Sequence, residues 1–463
     1  MAYFLGIDLG TSYFKVGLFD ETGALKGLSR LALRKETPVP GHCEVAVAVF
    51  WQLLRDGVAE ALRQAGVAAD QVAGVSYSSQ ANTFILLDRA DRPLTPLVLW
   101  TDLRGEPLQG ELWGFTHHAT YGRKTGFTGM TGKWAAGKLH WFQKNRPELW
   151  ANVHRIMTIS DYFTYALTGE KVGDAGTAAL LGLYDLTTRQ WWPAALTAFD
   201  LEQARLSQPL RPGTPCGKTS AQAGPLLGLP AGIPFAVGSL DHHMAALGSG
   251  LGRLADVSIS TGTVLAAITH VGSVVPQADC YHGPDFDGDG FFRLAFDPNG
   301  AGQLEDYQRR FAPSHDLEEL IALAAAAPDA RPAGSWRAQL TPAEHGRHVR
   351  YLLEKIAAAQ RTLVQRVTGG SPVHRLVATG GGARSALWLQ IKADLLGVPV
   401  ITPASPERAC LGAAIVAGVA AGAYRDVAAA AVAMVQPGRT YLPNPAEGPR
   451  YAQWLEAIPQ GRP

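Results

Sequence analysis

The feature that most constrains this chain is a pattern that occurs twice, in which an apolar run, a glycine–threonine turn and a second apolar run follow one another. The first copy spans residues 3–19 around Gly10-Thr11-Ser12. The second copy begins near residue 257 and contains Ser260-Thr261-Gly262-Thr263. Each copy is typical of a strand, a tight polar turn and a strand. The repeat predicts two similar domains, which agrees with a length of 463 residues.

Strands and helices are predicted to alternate along the chain. Residues 45–66 carry apolar side chains at helical spacing, and residues 72–79 are typical of the next strand. This alternation predicts an α/β fold with partly parallel sheets. The expected division is an N-terminal domain over 1–235, a C-terminal domain over 236–435 and a proline-rich tail over 436–463.

Charge and cysteine content argue against several classes of protein. Lys and Arg (41) against Asp and Glu (40) leave a net charge of +1, so there is no broad basic field for a nucleic acid or an anionic membrane. The four cysteines form no CxxC pair, which argues against a zinc knuckle or a disulfide framework. The longest uncharged stretch, 409–424, is shorter than the roughly 20 residues of a spanning helix, so a buried helix is predicted there. A cytoplasmic location is expected, since the chain also starts without a basic leader.

Both glycine–threonine turns suit a phosphate group. Glycine and small hydroxyl side chains leave backbone N–H groups uncovered, so an anion can approach them closely. Asp8 stands just before the first turn, where a magnesium ion bridging phosphates would take an oxygen ligand. The alternatives are ordinary hairpin turns and an aspartate that caps the first of them.

Five segments together resemble a known family, and they are residues 6–12 with Lys15, 100–104, 238–241, 260–263 and 379–385. They read Gly-Ile-Asp-Leu-Gly-Thr-Ser, Trp-Thr-Asp-Leu-Arg, Gly-Ser-Leu-Asp, Ser-Thr-Gly-Thr and Thr-Gly-Gly-Gly-Ala-Arg-Ser. With these segments in this order, the chain resembles the FGGY carbohydrate kinases, in which the same motifs follow one another. These kinases are relatives of actin, hexokinase and the heat-shock 70 ATPases. The resemblance implies two ribonuclease-H-like domains with mixed sheets flanked by helices. It also implies an active site in the interdomain cleft, with ATP held mainly by the second domain and a sugar by the first.

Asp241 is the candidate catalytic residue. It follows the apolar run 235–237 and opens a segment with helical character, so helix capping is the alternative role. The resemblance implies that this aspartate is the general base, which accepts the proton of a sugar hydroxyl while that oxygen attacks the γ-phosphorus of ATP.

A glycine run marks the candidate nucleotide site. Gly380, Gly381 and Gly382 lie between the apolar residues 376–378 and a predicted helix over 384–396. Bare backbone at such a strand-to-helix turn lets an adenosine lie against the chain, whereas the alternative is a tight turn without a ligand. With the resemblance, the predicted contacts to ATP are Gly10, Thr11, Ser12, Thr261, Gly262, Thr263, Gly380, Gly381, Gly382 and Ser385.

The resemblance also implies the sugar contacts, which are Gln80, Ala81, Asn82, Trp100, Asp102, Arg104, Asp241 and His242. Sugar sites commonly combine an indole face with directional hydrogen bonds. The alternative for the Trp-x-Asp-x-Arg segment is a partly buried tryptophan beside a surface ion pair. Asn82 stands where xylulose kinases carry His and glycerol kinases carry Glu, so the identity of the sugar is left open.

Three other segments are interpreted as structural. His242 and His243 are neighbours on a predicted helix and point in different directions, which argues against a shared metal ion. Residues 285–290 begin like a calcium loop, but position twelve is Phe296 instead of Glu, so a hairpin turn is predicted. The segment 407–414 is rich in small residues and is predicted to pack as a helix.

The sequence therefore predicts an ATP- and Mg²⁺-dependent kinase of a small free sugar, first of all a ketose such as xylulose, with no nucleic-acid or membrane partner. Alternative substrates are L-fuculose, gluconate and a polyol. Two other classes are a catalytically silent sugar sensor and a chaperone-like ATPase, and the intact motifs argue against both. Because dimers are frequent in the family, a homodimer is the expected assembly.

Overall fold

The computed structural model describes residues 2–327 and 340–457. The strands are β1 (Tyr3–Leu9), β2 (Tyr13–Asp20), β3 (Leu25–Ala32), β4 (Glu44–Val45), β5 (Val72–Ser79), β6 (Phe84–Leu87), β7 (Leu97–Val98), β8 (Arg155–Thr158), β9 (Val172–Asp174), β10 (Tyr184–Asp185), β11 (Gln190–Trp191), β12 (Gln208–Leu210), β13 (Pro215–Lys218), β14 (Pro234–Ala236), β15 (Ser239–Leu240), β16 (Val257–Thr261), β17 (Leu265–Val271), β18 (Cys280–Pro284), β19 (Phe291–Asp297), β20 (Leu376–Thr379), β21 (Val400–Pro403) and β22 (Pro437–Tyr441).

The α-helices are α1 (Val47–Ala65), α2 (Gly110–Thr116), α3 (Ala119–Thr125), α4 (Ala135–Asn145), α5 (Pro147–Trp150), α6 (Ile159–Thr168), α7 (Ala175–Ala179), α8 (Pro193–Ala198), α9 (Ala223–Leu227), α10 (Asp241–Ser249), α11 (Gly302–Phe311), α12 (Leu317–Ala326), α13 (Pro342–Thr368), α14 (Ala386–Leu396), α15 (Arg408–Ala420), α16 (Val427–Met434) and α17 (Gly448–Ala457). Short 3₁₀ helices lie at Ala69–Gln71, Gln203–Arg205 and Gly381–Arg384.

The chain forms two compact units, each assembled from separate stretches of sequence. Unit 1 comprises Met1–Gly248, Val271–Arg293 and Ser405–Gln436, and unit 2 comprises Ser249–His270, Leu294–Ala404 and Pro437–Pro463. The domain boundaries expected near residues 235 and 435 divide the chain in a different way and stay a prediction.

Unit 1 is built on a mixed sheet with the strand order β13-β14-β5-β1-β2-β3. Strand β1 pairs in parallel with β5 and antiparallel with β2, and β15 is a further parallel partner of β5. Helix α1 packs on β2 and β3, and α15 packs on β1 and β5. The approach of α15 is close, because a Cβ at Gly6 would lie 2.0 Å from the carbonyl oxygen of Cys410.

A second, antiparallel sheet of unit 1 has the order β4-β7-β6-β8. Phe84 and Leu86 of β6 share a hydrophobic core with Leu139 and Phe142 of α4. The rings of Phe84 and Phe142 meet edge to face, with their centroids 6.2 Å apart. This packing fixes α4 beside the segment that follows β5.

Unit 2 repeats the central strand pattern of unit 1. Strand β16 pairs antiparallel with β17 and in parallel with β20, and β20 pairs in parallel with β21. The order β17-β16-β20-β21 therefore has the same strand directions as β2-β1-β5-β14. The repeat in the sequence thus corresponds to a repeat in strand pairing.

Several elements predicted from periodicity are confirmed. Helix α1 and strand β5 occupy the predicted segments, and the uncharged stretch forms the buried helix α15. Between β18 and β19 the N–H of Asp285 donates to the carbonyl oxygen of Gly290 at 3.1 Å, which closes the predicted hairpin turn.

The predicted proline-rich tail contributes regular structure to unit 2. Strand β22 pairs antiparallel with β21, and α17 follows it. Residues 458–463 of this tail lie outside the described residues. Within the described part of the chain, every helix is too short or too polar to cross a membrane.

Candidate active site

The carboxyl ends of parallel strands gather the first group of predicted site residues in unit 1. Asp8 near the end of β1 is paired with Ser78 of β5, and Ser78 is paired with Ser239 of β15. Asp241 follows β15 directly and is the first residue of α10. In α/β sheets ligands bind beyond the carboxyl ends of the strands, so this edge is the candidate catalytic edge.

The carboxyl group of Asp8 is only 7% exposed and sits among charged neighbours. Its Oδ1 accepts a hydrogen bond from Ser78 Oγ at 2.9 Å, and its Oδ2 lies 4.0 Å from Lys15 Nζ. The pKa of Asp8 is raised to about 6: burial raises it most, the positive charge of Lys15 lowers it, and the negative charges of Asp241 and Glu407 raise it.

Glu407 is a member of this charged group that sequence reasoning assigned only to packing. Its Oε2 accepts a hydrogen bond from Lys15 Nζ at 2.9 Å. Burial disfavours the charged form of Lys15, but the bond to Glu407 and the charge of Asp8 outweigh it and raise its pKa. Because 392 residues separate Lys15 and Glu407, no local pattern could have paired them.

Asp241 lies at the N-terminus of a nine-residue helix. Its Oδ1 accepts a hydrogen bond from the backbone N–H of His242 at 2.7 Å. This bond holds one carboxylate oxygen at the start of α10. No hydrogen bond to Asp241 Oδ2 occurs among the described residues, so that oxygen can accept one from a ligand.

The two histidines after Asp241 have different surroundings. His243 Nδ1 lies 3.1 Å from Ser239 Oγ, and its buried ring stacks on Phe292 with centroids 4.4 Å apart. His242 remains half-buried. The prediction that the two imidazoles share no metal ion stays a prediction.

The first glycine–threonine turn is tied to two of the predicted sugar segments. Trp100 Nε1 donates to Thr11 Oγ1 at 2.7 Å, and Gln80 Nε2 donates to the carbonyl oxygen of Gly10 at 3.2 Å. Gln80 Oε1 accepts from Thr83 Oγ1 at 3.0 Å. The Gln80 side-chain amide thus stabilises the turn. Trp100 is 45% exposed and Ser12 is also exposed, so both are accessible to a ligand.

Asn82 has a left-handed backbone, with φ of 59°, and its side chain caps a helix. Its Oδ1 accepts from the N–H of Ala135 at 2.9 Å, at the start of α4. Lys138 of the same helix is fully buried and donates to the carbonyl oxygens of Asn82 and Leu99 at 3.0 and 2.7 Å. Burial lowers the pKa of Lys138 to about 7. Sequence reasoning missed Lys138 because its partners lie on other elements.

The structure corrects the alternative reading of the Trp-x-Asp-x-Arg segment, because its ion pair is buried and not on the surface. Arg104 Nη2 lies 2.8 Å from Asp102 Oδ2, and it also bonds to Glu44. Asp102 is fully buried, and its carboxylate also accepts from the N–H of Cys43 at 2.7 Å. Burial disfavours its charge, but the bonds from Arg104 and Cys43 outweigh burial and lower its pKa.

Asp102 also belongs to a group with the spacing of metal ligands. It forms this group with His42 and Glu44, and no other such group of three occurs among the described residues. The guanidinium of Arg104 already bonds to both acids of the group. Arg104 therefore takes the place that a cation would have there.

Unit 2 brings the second turn and the glycine run together at the same kind of strand edge. Ser260 of β16 is paired with Thr379 of β20, so Thr261 and Gly380 follow side by side. Gly380 has a φ of 83°, and a Cβ there would lie 2.6 Å from the carbonyl oxygen of Thr261. Only glycine fits this position without strain.

Two further glycines leave open space beside these strand ends. A Cβ at Gly381 would meet no atom within 4 Å, and a Cβ at Gly262 would meet only Val264 O at 3.7 Å. Gly381 and Thr263 are exposed. The two turns therefore present bare backbone, which is the surface that a phosphate or an adenosine can approach.

The helix after the glycine run begins with a cap. Ser385 Oγ accepts from the N–H of Trp388 at 3.2 Å, so its oxygen serves α14. Lys392 of this helix is fully buried and its Nζ bonds to Thr261 Oγ1. Burial lowers the pKa of Lys392 to about 7. Lys392 was not among the predicted site residues.

Comparison with models of known protein families shows which family the chain belongs to. The N-terminal domain model of the FGGY family of carbohydrate kinases matches residues 3–248, and the C-terminal domain model matches residues 315–421. The chain belongs to this family. This FGGY kinase is thus an ATP-dependent phosphotransferase with an alcohol group as acceptor, and it acts on a small sugar. The resemblance inferred from five motifs is confirmed.

Individual relatives align over almost the whole FGGY kinase. The L-xylulose/3-keto-L-gulonate kinase of Escherichia coli K12 is 28% identical, over 96% of this chain and 93% of the relative. The autoinducer-2 kinase of the same strain is also 28% identical, over 97% and 92%. The xylulose kinase structure from Rhodospirillum rubrum superposes with a TM-score of 0.86 at 24% identity, over 98% of this chain and 97% of that one. The predicted α/β fold with two domains of mixed sheets flanked by helices is confirmed.

Proposed function

We propose that this FGGY kinase transfers the γ-phosphate of MgATP to a hydroxyl of a small free ketose, with xylulose as the first candidate. The observation that carries the proposal is the position of Asp241 and Asp8 at one strand edge, since β1 and β15 are both parallel partners of β5 and Asp241 follows β15. The choice of a ketose is supported by the names of the relatives, which include a kinase of L-xylulose and 3-keto-L-gulonate.

Asp241 is the general base of the proposed reaction. Its Oδ1 is held by the N–H of His242 at the start of α10. Oδ2 then accepts the proton of the sugar hydroxyl as that oxygen attacks the γ-phosphorus and the bond to the β-phosphate oxygen breaks.

The proposed nucleotide contacts are the two turns and the glycine run. The open space beside Gly262 and Gly381 can admit a phosphate or an adenosine. The N–H of Gly262 donates to Val264 O at 3.2 Å and is therefore not among the proposed phosphate donors. Ser385 reaches the nucleotide less directly, because its oxygen caps α14. The full set is Gly10, Thr11, Ser12, Thr261, Gly262, Thr263, Gly380, Gly381, Gly382 and Ser385.

Asp8 is the proposed magnesium ligand, directly or through water. Mg²⁺ prefers carboxylate oxygens, and Asp8 would supply one. When bound, magnesium would neutralise charge on the phosphates. Among the described residues, only Ser78 donates a hydrogen bond to the Asp8 carboxylate, which leaves acceptor capacity for this role.

The proposed sugar contacts lie around the exposed indole of Trp100. The side-chain amide nitrogen of Asn82 donates no hydrogen bond to a described residue, so it can donate to a sugar hydroxyl. His242 directly follows Asp241 in the chain. Asp102 and Arg104, which follow Trp100 in the chain, form a buried ion pair. The remaining members of the set are Gln80 and Ala81.

The wider expectations from the sequence also belong to this proposal. They are the domain boundaries near residues 235 and 435, a homodimer and a cytoplasmic location. L-fuculose, gluconate and polyols remain the alternative acceptors, and a sugar sensor without turnover is the alternative function.

Asp241→Asn tests the proposed chemistry, because the amide keeps an oxygen for the His242 N–H but accepts no proton. We expect kcat to fall by at least about 100-fold, with MgATP binding and thermal stability close to wild type. Asp70→Asn, which removes an exposed carboxylate of the same unit, is the matched control and should retain full activity. Turnover by Asp241→Asn at the rate of the control would refute the assignment.

A further inference from the structure

Lys392 is a charged side chain in a position that suits an apolar one. It lies on the buried face of α14 with Trp388, Ile391 and Leu395. Its Nζ lies 5.1 Å from the centroid of the Trp388 ring. Burial of an ammonium group costs free energy unless it is paired, and an apolar residue of similar size would be at least as stable there. We therefore look for a role of Lys392 other than packing.

The hydrogen bond of Lys392 leads to the candidate nucleotide turn. Its Nζ bonds to Thr261 Oγ1, and no ion pair to Lys392 occurs among the described residues. In its protonated form Lys392 only donates, so Thr261 Oγ1 is then the acceptor and the hydroxyl hydrogen points elsewhere. The bond therefore fixes both the rotamer and the hydrogen direction of Thr261.

Thr261 is also the contact between the second turn and the glycine run. A Cβ at Gly380 would lie 2.6 Å from Thr261 O, and a Cβ at Gly382 would lie 2.8 Å from Thr261 Cγ2. Thr261 thus lies against both Gly380 and Gly382 of the run. Any shift of Thr261 displaces both surfaces on which a nucleotide would rest.

We propose that Lys392 is a positioning residue for the nucleotide, which acts through Thr261 to hold the turn 261–263 and the run 380–382 in register. Its positive charge, which no described carboxylate compensates, also favours an anionic ligand beside the turn. The inference deepens the proposed function and rests on its nucleotide site. This role differs from a purely structural one because Lys392, on the buried face of α14, would then affect the affinity for the nucleotide.

Lys392→Met is the decisive variant, since it keeps the length of the side chain and removes its charge and donors. We expect the Kd of the non-hydrolysable analogue MgAMP-PNP, measured by titration calorimetry, and the KM for MgATP to rise about tenfold. The KM for the sugar should not change. The thermal midpoint should stay the same or increase, because a buried charge is removed. A purely structural role would lower the midpoint and leave the Kd unchanged.

Thr261 supplies a matched pair of variants that breaks the same bond from the other side. Thr261→Ser keeps the hydroxyl, and Thr261→Val removes it. We expect only the valine variant to weaken MgAMP-PNP binding. The double variant Lys392→Met/Thr261→Val should bind no more weakly than either single variant, because both changes remove one interaction.

The outcomes separate this inference from the proposed function. If Thr261→Val weakens binding and Lys392→Met does not, the inference is wrong and the nucleotide site stands. If neither Thr261→Val nor Gly381→Ala affects binding, the proposed nucleotide site fails as well. Should Lys392→Met not fold, equal affinities of the serine and valine variants of Thr261 would overturn the inference.

Discussion

Adjacent glycines in the run after β20 have different roles, and substitution distinguishes them. Gly380 has a positive φ and lies against Thr261, whereas Gly381 has open space around it. We expect Gly380→Ala to lower the thermal midpoint and Gly381→Ala to leave it unchanged, because the second methyl group clashes with nothing. Gly381→Ala should instead raise the KM for MgATP. An unchanged KM with a lowered midpoint for Gly381→Ala would show that this glycine serves the fold.

Arg104 is expected to matter for stability, since its side chain is only 4% exposed and pairs with Asp102 and Glu44. Arg104→Gln leaves Asp102 buried without its counter-ion, so the free energy of unfolding should fall by about 3 kcal/mol. Arg92→Gln is the control, because Arg92 forms an exposed pair with Asp88 and should contribute less than about 1 kcal/mol. Urea denaturation measures both changes. Equal losses for the two variants would contradict the buried role.

The sequence predicted residues whose chemistry follows from their neighbours along the chain. Asp241 opens a helix after a strand, and the glycine run follows another strand, as the pattern indicated. Glu407, Lys138 and Lys392 were missed because each acts on a partner in a distant element. No local spacing reports such contacts, since they arise only when the sheet has formed.

At the scale of elements, α4 connects the two segments proposed to bind the sugar. Its N-terminus is capped by Asn82, and its Lys138 donates to the carbonyl oxygens of Asn82 and Leu99. We expect Lys138→Met to raise the KM for the sugar and to leave the KM for MgATP unchanged. Lys144→Met, on the exposed end of the same helix, is the control. A rise in the KM for MgATP alone would contradict this role of α4.

The N-terminus of α6 gives a prediction about pH. Asp161 is buried and its carboxylate accepts from the N–H of Thr158. The pKa of Asp161 is raised from 3.8 to about 7, mainly by burial and also by the nearby Asp174, while the bonds from Thr158 lower it. The folded state therefore holds this proton more tightly than the unfolded state, so the stabilisation is full below pH 3.8 and is lost as the pH rises to about 7.

Asp161→Asn should flatten this dependence, because the amide does not titrate. Chemical denaturation of both proteins at pH 5 and pH 8 measures it as the change in midpoint. We expect the wild type to lose more stability than the variant over this interval. Parallel changes in the two proteins would show that Asp161 does not titrate there.

At the scale of the whole molecule, the repeated strand pattern predicted two similar domains, and each unit has one sheet with the same central order. The return of residues 405–436 to unit 1 could not be predicted. Helix α15 packs there on β1 and β5, where Gly6 and Gly74 allow its close approach. Those glycines in the strands carry no information about which distant helix covers them.

The central claim is that the molecule transfers phosphate from MgATP to a sugar hydroxyl with Asp241 as the base. The most direct measurement quantifies ADP and sugar phosphate together, for wild type and Asp241→Asn, with MgATP and a panel of ketoses, gluconate and polyols. We expect equal amounts of the two products from the wild type with at least one ketose, and almost none from the variant although it binds MgATP. Equal product formation by the variant would refute Asp241 as the base.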